Sequence, residues 1–144
     1  YLSAFGDKSL KIKSIEDIIK INLEDLLQRA PYGQQLFEGI VNDSTTLAEL
    51  EVIKSNLNST GKQFFNEPMD SLNLDAVLSI NNYHAGFAAV AKYPCLTVPM
   101  GYEKSGEPIS LTFIVKPFQE QKLLQLGYAF EQLSKVRKQP KNYK

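Results

Sequence analysis

The sequence predicts an α/β fold, in which a small mixed sheet of about three strands packs with helices. Apolar residues recur at helical spacing between 14 and 66, and the period then changes to short apolar runs between 74 and 115. A second helical pattern follows at 119–137. We therefore expect one domain over residues 1–144, helical at 14–66, with a strand, loop, strand, strand and helix at 74–137.

Three helices are predicted in the first half of the chain from the spacing of its apolar residues. Ser14 with Asp17 three positions later is an N-cap pattern, which predicts where the first helix begins. Pro68 predicts the end of the third helix, because proline removes a backbone donor. The predicted helices cover about 14–22, 36–41 and 46–66.

Three short segments predict the strands. Leu74 to Ile80 is an apolar run typical of a buried strand, and the segment 95–98 lies between Pro94 and Pro99. Residues 109–115 alternate apolar and polar side chains, as a strand with one wetter face does. A three-stranded sheet has at least one unpaired edge, so we expect an open edge or apolar face that makes the isolated chain self-associate.

Composition excludes several classes of function. The 16 basic and 16 acidic side chains cancel, so no strong field attracts nucleic acid or an anionic membrane. No apolar run approaches the roughly 18 residues that span a bilayer, and the start carries no signal-peptide pattern. These features are typical of a soluble protein, and they leave the compartment open. The basic residues near the end of the chain are interpreted as a solvated, partly frayed tail: Lys135, Arg137, Lys138, Lys141 and Lys144.

Several short segments stand in the order found in one protein family. Leu74–Leu78 is similar to that family's strand leading into the substrate pocket, and Glu120–Glu131 is similar to its closing helix. Between them, Ala88–Pro94, Leu96–Gly101 and Gly106–Ile114 are similar to a small-residue turn and two strands. The chain thus resembles the C-terminal portion of the amidase-signature hydrolases. The resemblance implies that the predicted sheet is part of their α/β/α core.

Two positions depart from that family's pattern. The family often has a Pro-Thr pair after the first strand, where this chain has Ser79-Ile80-Asn81-Asn82. It usually has glycine before Tyr-Pro, where this chain has Lys92. Both departures concern the shape of the pocket rather than the fold.

The resemblance implies hydrolysis of carbon–nitrogen (amide) bonds by a Ser–Ser–Lys arrangement, with the nucleophile in a Gly- and Ser-rich segment. This sequence contains no such segment, and it starts at Tyr1 rather than methionine. We therefore expect a fragment of a longer amidase that supplies scaffold and pocket wall, has no catalytic residue of its own and is inactive alone. The alternative is a non-catalytic binding module that shares the topology.

The loop after the first strand is the candidate substrate-binding site. Asn81, Asn82, Tyr83 and His84 offer amide, phenol and imidazole groups at a strand end, where α/β proteins commonly bind ligands. The other interpretation is a capping loop whose side chains satisfy turn backbone. The resemblance places the loop near a small amide substrate and implies no cofactor. With one His and one Cys in the sequence, we expect no metal site.

A self-contained nucleophile is the less favoured interpretation. His84 could pair with Ser79 as a hydroxyl–imidazole dyad, or with Cys95 as a thiol–imidazole dyad. We expect Cys95 to be a buried side chain in a strand, where cysteine acts as a small hydrophobe. The small residues of 85–91 predict a short helical turn directly after His84.

Overall fold

The computed structural model describes residues 1–139, without the side chains of residues 2 and 3. Lys141 and Lys144 of the predicted basic tail lie outside the described residues. The chain forms two compact units, Tyr1–Leu47 and Ala48–Lys144. The expectation of a single domain over 1–144 stays a prediction.

The first unit is helical. Its helices are α1 (Leu2–Phe5), α2 (Ile15–Glu24), α3 (Leu26–Arg29) and α4 (Gln35–Asn42). Ser14 caps α2 as predicted: its hydroxyl accepts from the Asp17 N–H, and the Asp17 carboxylate accepts from the Ser14 N–H. Asn22 of α2 donates to the side chain of the buried Gln34 at 3.1 Å, which fixes the start of α4 against α2.

Helix α5 (Leu47–Ser71) is longer than predicted and contains Pro68. The prediction that Pro68 ends this helix is wrong. Phe65 and Met69 on either side of it are buried, at 0% and 2% exposure. Their burial holds the last turn in the core, and it offsets the one backbone hydrogen bond that proline removes.

The sheet has three strands, β1 (Val77–Ile80), β2 (Cys95–Tyr102) and β3 (Pro108–Ile114), in the order β1-β3-β2. The predicted α/β class with about three strands is confirmed. Both pairings are antiparallel, however, so these strands lack the parallel pair that a mixed sheet implies.

Strand β2 also runs past its predicted end. It continues through Pro99 to Tyr102, with a register shift between Pro99 and Gly101. An edge strand tolerates proline because the backbone N–H groups on its outer side have no partner in the sheet, so no hydrogen bond is lost where proline lacks one. The bulge accommodates the register shift. Pro99 therefore lies inside the strand that it was expected to end.

Helices pack on both faces of the sheet. On one face, α5 and α6 (Ala85–Ala91) bury a core with β3 and β1: Phe65, Met69, Ala88, Ala91, Tyr93, Ile114 and Val77. On the other face, α7 (Glu120–Ser134) buries a second core with β2 and β3, built around Val98, Phe113, Val115 and Leu123. The second unit is thus a three-layer helix, sheet and helix arrangement.

Helix α7 ends earlier than the predicted 137, because Lys135 takes a left-handed conformation with φ of 47°. The chain then returns to the sheet. The Lys138 N–H donates to the Tyr102 hydroxyl at 2.9 Å, and the Lys138 ammonium lies 5.2 Å from the centre of the Tyr102 ring. Lys135, Arg137 and Lys138 are exposed, as a solvated tail predicts, but the segment is held to the sheet as far as Lys138 rather than frayed there.

Cys95 is exposed, so its predicted burial is wrong. It begins edge strand β2, opposite Ile114, on the face that α5 and α6 cover only toward β1. An apolar run around a residue predicts a strand, but it does not predict which strand lies at the edge. In the described residues, no helix is long and apolar enough to cross a membrane.

Candidate functional site

The candidate site is the loop that joins β1 to α6. Asn81 takes a left-handed conformation with φ of 50°, which asparagine tolerates better than most residues. Its N–H donates to the Ser110 carbonyl and its side-chain Oδ1 accepts from the Ser110 N–H, both at 2.8 Å. The Thr112 hydroxyl also donates to the Asn81 carbonyl. Asn81 therefore extends the pairing of β1 with β3 and turns the chain.

Asn82 and Tyr83 form the exposed tip of this loop. The Asn82 carbonyl accepts from the Ala85 N–H at 3.0 Å, and the Tyr83 N–H donates to the Ile80 carbonyl at 3.3 Å. These backbone bonds leave both side chains outside the turn. The Tyr83 ring is 72% exposed and Asn82 is exposed, so both are accessible to a ligand.

His84 is half-buried at the N-cap of α6, and its imidazole faces back toward the end of β1. Its Nδ1 lies 2.9 Å from the hydroxyl oxygen of Ser79, and its backbone N–H donates to the same oxygen at 3.3 Å. Ser79 is 4% exposed. The loop thus returns on itself, so that a buried strand side chain holds the N-cap residue of α6.

Two phenylalanines flank the His84 ring. Phe64 of α5 lies 6.0 Å from it, centre to centre, with the rings 19° from parallel, and Phe87 of α6 lies 5.7 Å away. Phe64 and Phe87 also contact each other at 5.3 Å and are 46% and 49% exposed. We call Phe64, His84 and Phe87 the aromatic triad.

The sequence interpretation missed this triad. Phe64 and Phe65 are both apolar positions of the helix predicted over about 46–66. Neighbouring residues on a helix point about 100° apart, so a single core cannot bury both side chains fully. That geometry was the available signal: Phe65 is buried, and Phe64 turns toward His84.

The structure brings together one of the two predicted dyads. Ser79 contacts His84, whereas Cys95 lies in β2, on the far side of β3 from the strand that holds Ser79. Neighbouring strands are about 4.8 Å apart, so two strand spacings separate Cys95 from that edge. Partial burial raises the pKa of the Cys95 thiol, which disfavours the thiolate needed for attack.

The Ser79 side chain lacks the exposure that a nucleophile needs. A serine nucleophile must reach the carbonyl carbon of its substrate, and Ser79 is 96% buried beneath the loop, in contact with His84. The contact therefore orders the loop. Within residues 1–139, no three His, Cys, Asp or Glu side chains cluster as metal ligands.

A groove lies between α5 and the end of α6. This groove of about 420 Å³ is open to solvent and lined by residues of both helices, among them Lys54, Asn58 and Lys92. The Asn58 side chain donates to the Val90 carbonyl at 2.7 Å, and Lys54 pairs with Glu51. None of the four predicted site residues lines the groove.

Solved structures share this arrangement of helices and strands. An amidase family protein from Bacillus anthracis superposes with a TM-score of 0.79 at 40% sequence identity, over 93% of this chain and 27% of its own length. The chain is related to the amidases. The predicted resemblance is thereby confirmed, and the match is consistent with the C-terminal portion of such a protein.

Other amidases give the same result. A probable amidase of Arabidopsis thaliana is 26% identical over 132 residues, which are 90% of this chain and 26% of that protein. The peptide amidase of Stenotrophomonas maltophilia matches with a TM-score of 0.74 at 25% identity, over 97% of this chain and 31% of its own. The chain thus spans about a quarter to a third of the length of these amidases. No protein-family model matches it.

Proposed function

We propose that this chain forms the C-terminal part of an amidase that hydrolyses carbon–nitrogen amide bonds, and that it supplies scaffold and one wall of the substrate pocket. The supporting observation is the match over nearly the whole chain to proteins named amidases, of which the chain spans about a quarter. A related peptide amidase was solved with the competitive inhibitor chymostatin, which supports a small amide as the substrate class.

We propose further that the chain alone is catalytically incomplete. A Ser–Ser–Lys arrangement requires a lysine amine close to a serine hydroxyl. In the described residues, the serine hydroxyls with hydrogen bonds contact Asp7, His84 and backbone groups. Lys54, Lys116 and Lys122 instead pair with carboxylates. These contacts support a catalytic site supplied by another stretch of polypeptide.

The proposed pocket wall is the tip of the β1–α6 loop with the aromatic triad. Tyr83 and Asn82 are exposed there, and the imidazole of His84 lies among half-exposed aromatic rings. A mostly apolar surface with a few polar groups is the usual lining of a small-molecule site. Asn81 contributes indirectly, because its polar groups hold β3.

Ammonia release from simple primary amides tests catalytic incompleteness. The purified 144-residue chain should release none, whereas a longer polypeptide that carries it after its upstream sequence should release ammonia. Turnover by the short chain that is lost in Ser79→Ala would contradict the proposal. An inactive longer polypeptide with no serine-rich segment upstream would favour the alternative, a non-catalytic binding module.

The pocket wall is tested in the longer polypeptide by Tyr83→Ala. We expect KM to rise roughly tenfold with little change in kcat, because a binding contact of about 1.4 kcal/mol is lost. The matched control is Tyr32→Ala, which removes a tyrosine that is 98% exposed in another loop. Equal effects of the two substitutions on KM would show that the loop is not part of the pocket wall.

A further inference from the structure

We propose that Ser79 is a positioning residue: its hydroxyl donates to Nδ1 of His84 and fixes the imidazole as the tautomer that presents Nε2–H. The ligand class for that donor is the carbonyl oxygen of an amide. The ligand part rests on the proposed function, whereas the tautomer follows from the contacts of the chain alone.

The argument begins with the single hydroxyl proton of Ser79. Its oxygen accepts from the His84 N–H at 3.3 Å, and it has two candidate acceptors for its own proton. These are His84 Nδ1 at 2.9 Å and the Ile80 carbonyl at 3.5 Å. The first distance is that of a good hydrogen bond and the second lies at the outer limit, so the proton belongs on the line to Nδ1.

A neutral imidazole carries one proton on its two nitrogens. If Nδ1 accepts from Ser79, Nε2 must be the protonated nitrogen and acts as a donor. In the described residues, the one buried side-chain nitrogen or oxygen without a hydrogen-bond partner is Nε2 of Gln34. Nε2 of the half-buried His84 is therefore not a buried unpaired atom, and it is accessible to solvent or to a ligand.

The aromatic triad fixes the plane in which that donor points. Phe64 lies nearly parallel to the imidazole and Phe87 is inclined to it by 49°. The stacked Phe64 ring lies along one face of the imidazole, which leaves its edge as the direction for an N–H. An N–H held at a fixed angle beside apolar rings suits an acceptor that joins a carbonyl to an apolar group, as the amides of aromatic and aliphatic acids do.

The tautomer can be measured directly, because His84 is the only histidine of the sequence. In the ¹⁵N-labelled 144-residue chain, long-range proton–nitrogen correlation at alkaline pH should show Nδ1 as the unprotonated nitrogen. It should show Nε2 as the protonated one. A ring with its proton on Nδ1 would overturn the proposal, whatever the activity of the longer polypeptide.

Substitutions at Ser79 test the positioning role. Ser79→Ala should let the Nδ1–H form become detectably populated, whereas Ser79→Thr retains the hydroxyl and should restore the wild-type spectrum. The exposed Ser59→Ala is the matched control and should change nothing. An unchanged tautomer population in Ser79→Ala would contradict the role. If that variant fails to fold, the wild-type and Ser79→Thr spectra still decide.

The ligand part is tested in the longer polypeptide by comparing His84→Gln with His84→Asn. Glutamine places its amide N–H₂ near the position of Nε2 and asparagine places it near Nδ1. We expect His84→Gln to keep KM within about threefold and His84→Asn to raise it about tenfold. Equal KM values would show that the Nε2 donor does not contact the substrate. The tautomer result, measured in the chain itself, would not be affected.

Discussion

At the scale of single residues, short polar contacts give the candidate site its form. The side-chain oxygen of Asn81 accepts the Ser110 N–H, as a backbone carbonyl of a strand would, and the Ser79 hydroxyl accepts from the N-cap residue of α6, His84. The left-handed conformation of Asn81 turns the chain between β1 and α6. Sequence could name the polar residues of the loop but not their partners.

Cys95 gives a test at the same scale. Partial burial raises the pKa of its thiol above the ordinary value of 9.0, so the folded chain holds less thiolate at a given pH. Alkylation by iodoacetamide should therefore be slower in the folded chain than in urea, and its rate should rise with pH at a higher midpoint. Mass spectrometry across pH 7 to about 11 measures both profiles. Coincident midpoints would show that burial leaves this thiol unaffected.

At the scale of elements, the approach of α7 to β2 depends on a missing side chain. A Cβ atom at Gly127 would lie 2.2 Å from Leu96 Cδ2 and 3.5 Å from Val98 Cγ1. Leu96 is partly buried and packs against the core beneath α7, so its side chain would have to shift within that packing to admit a Cβ. The glycine thus sets how closely the helix and the sheet pack.

Gly127→Ala should lower the free energy of unfolding by about 1 kcal/mol, since the overpacking cost exceeds the helix propensity gained. Gly86→Ala in α6 is the matched control: a Cβ there meets nothing within 4 Å. That control should stabilise by about 0.5–1 kcal/mol. Urea denaturation of both variants measures the difference.

The double variant Gly127→Ala with Leu96→Val sharpens this test. Valine lacks the δ carbon that would clash, so the two substitutions together should cost less than the sum of their separate effects. Additive effects would show that the clash at Leu96 is not the cause.

Element types were predictable from sequence, whereas several ends and partners were not. The capping pattern at Ser14 specified where α2 begins because it is local. The end of α5 and the length of β2 were misjudged at Pro68 and Pro99, because burial of Met69 and the edge position of β2 override the local effect of proline. The predicted burial of Cys95 was wrong for the same reason, because the order of the strands is a property of the assembled sheet.

At the scale of the whole molecule, the sheet leaves apolar surface open at β1. Leu78 and Ile80 are 54% and 52% exposed, although Phe113, which pairs with Leu78, is buried. Helix α7 covers the β2 and β3 side of that face. The outer edge of β1 has no partner strand in the three-stranded sheet.

Self-association of the isolated chain should follow from this surface. Light scattering should show an average molar mass that rises with concentration, and Leu78→Lys should lower it toward the 16.2 kDa of one chain. Leu133→Lys, at a residue 88% exposed on α7, adds the same charge elsewhere and serves as control. A monomer at high concentration, or equal effects of both lysines, would contradict the assignment to β1.

The contact between Lys138 and Tyr102 links two distant points of the chain and closes the stretch between them into a loop. The two residues are 36 positions apart, and the hydrogen bond between them joins the end of β2 to the segment after α7. Strand β3 and helix α7 lie between the two joined residues, so the link restricts how far they can move apart. A protein shortened to Ser134 would lose this link, so the folded unit includes the segment after α7 as far as Lys138.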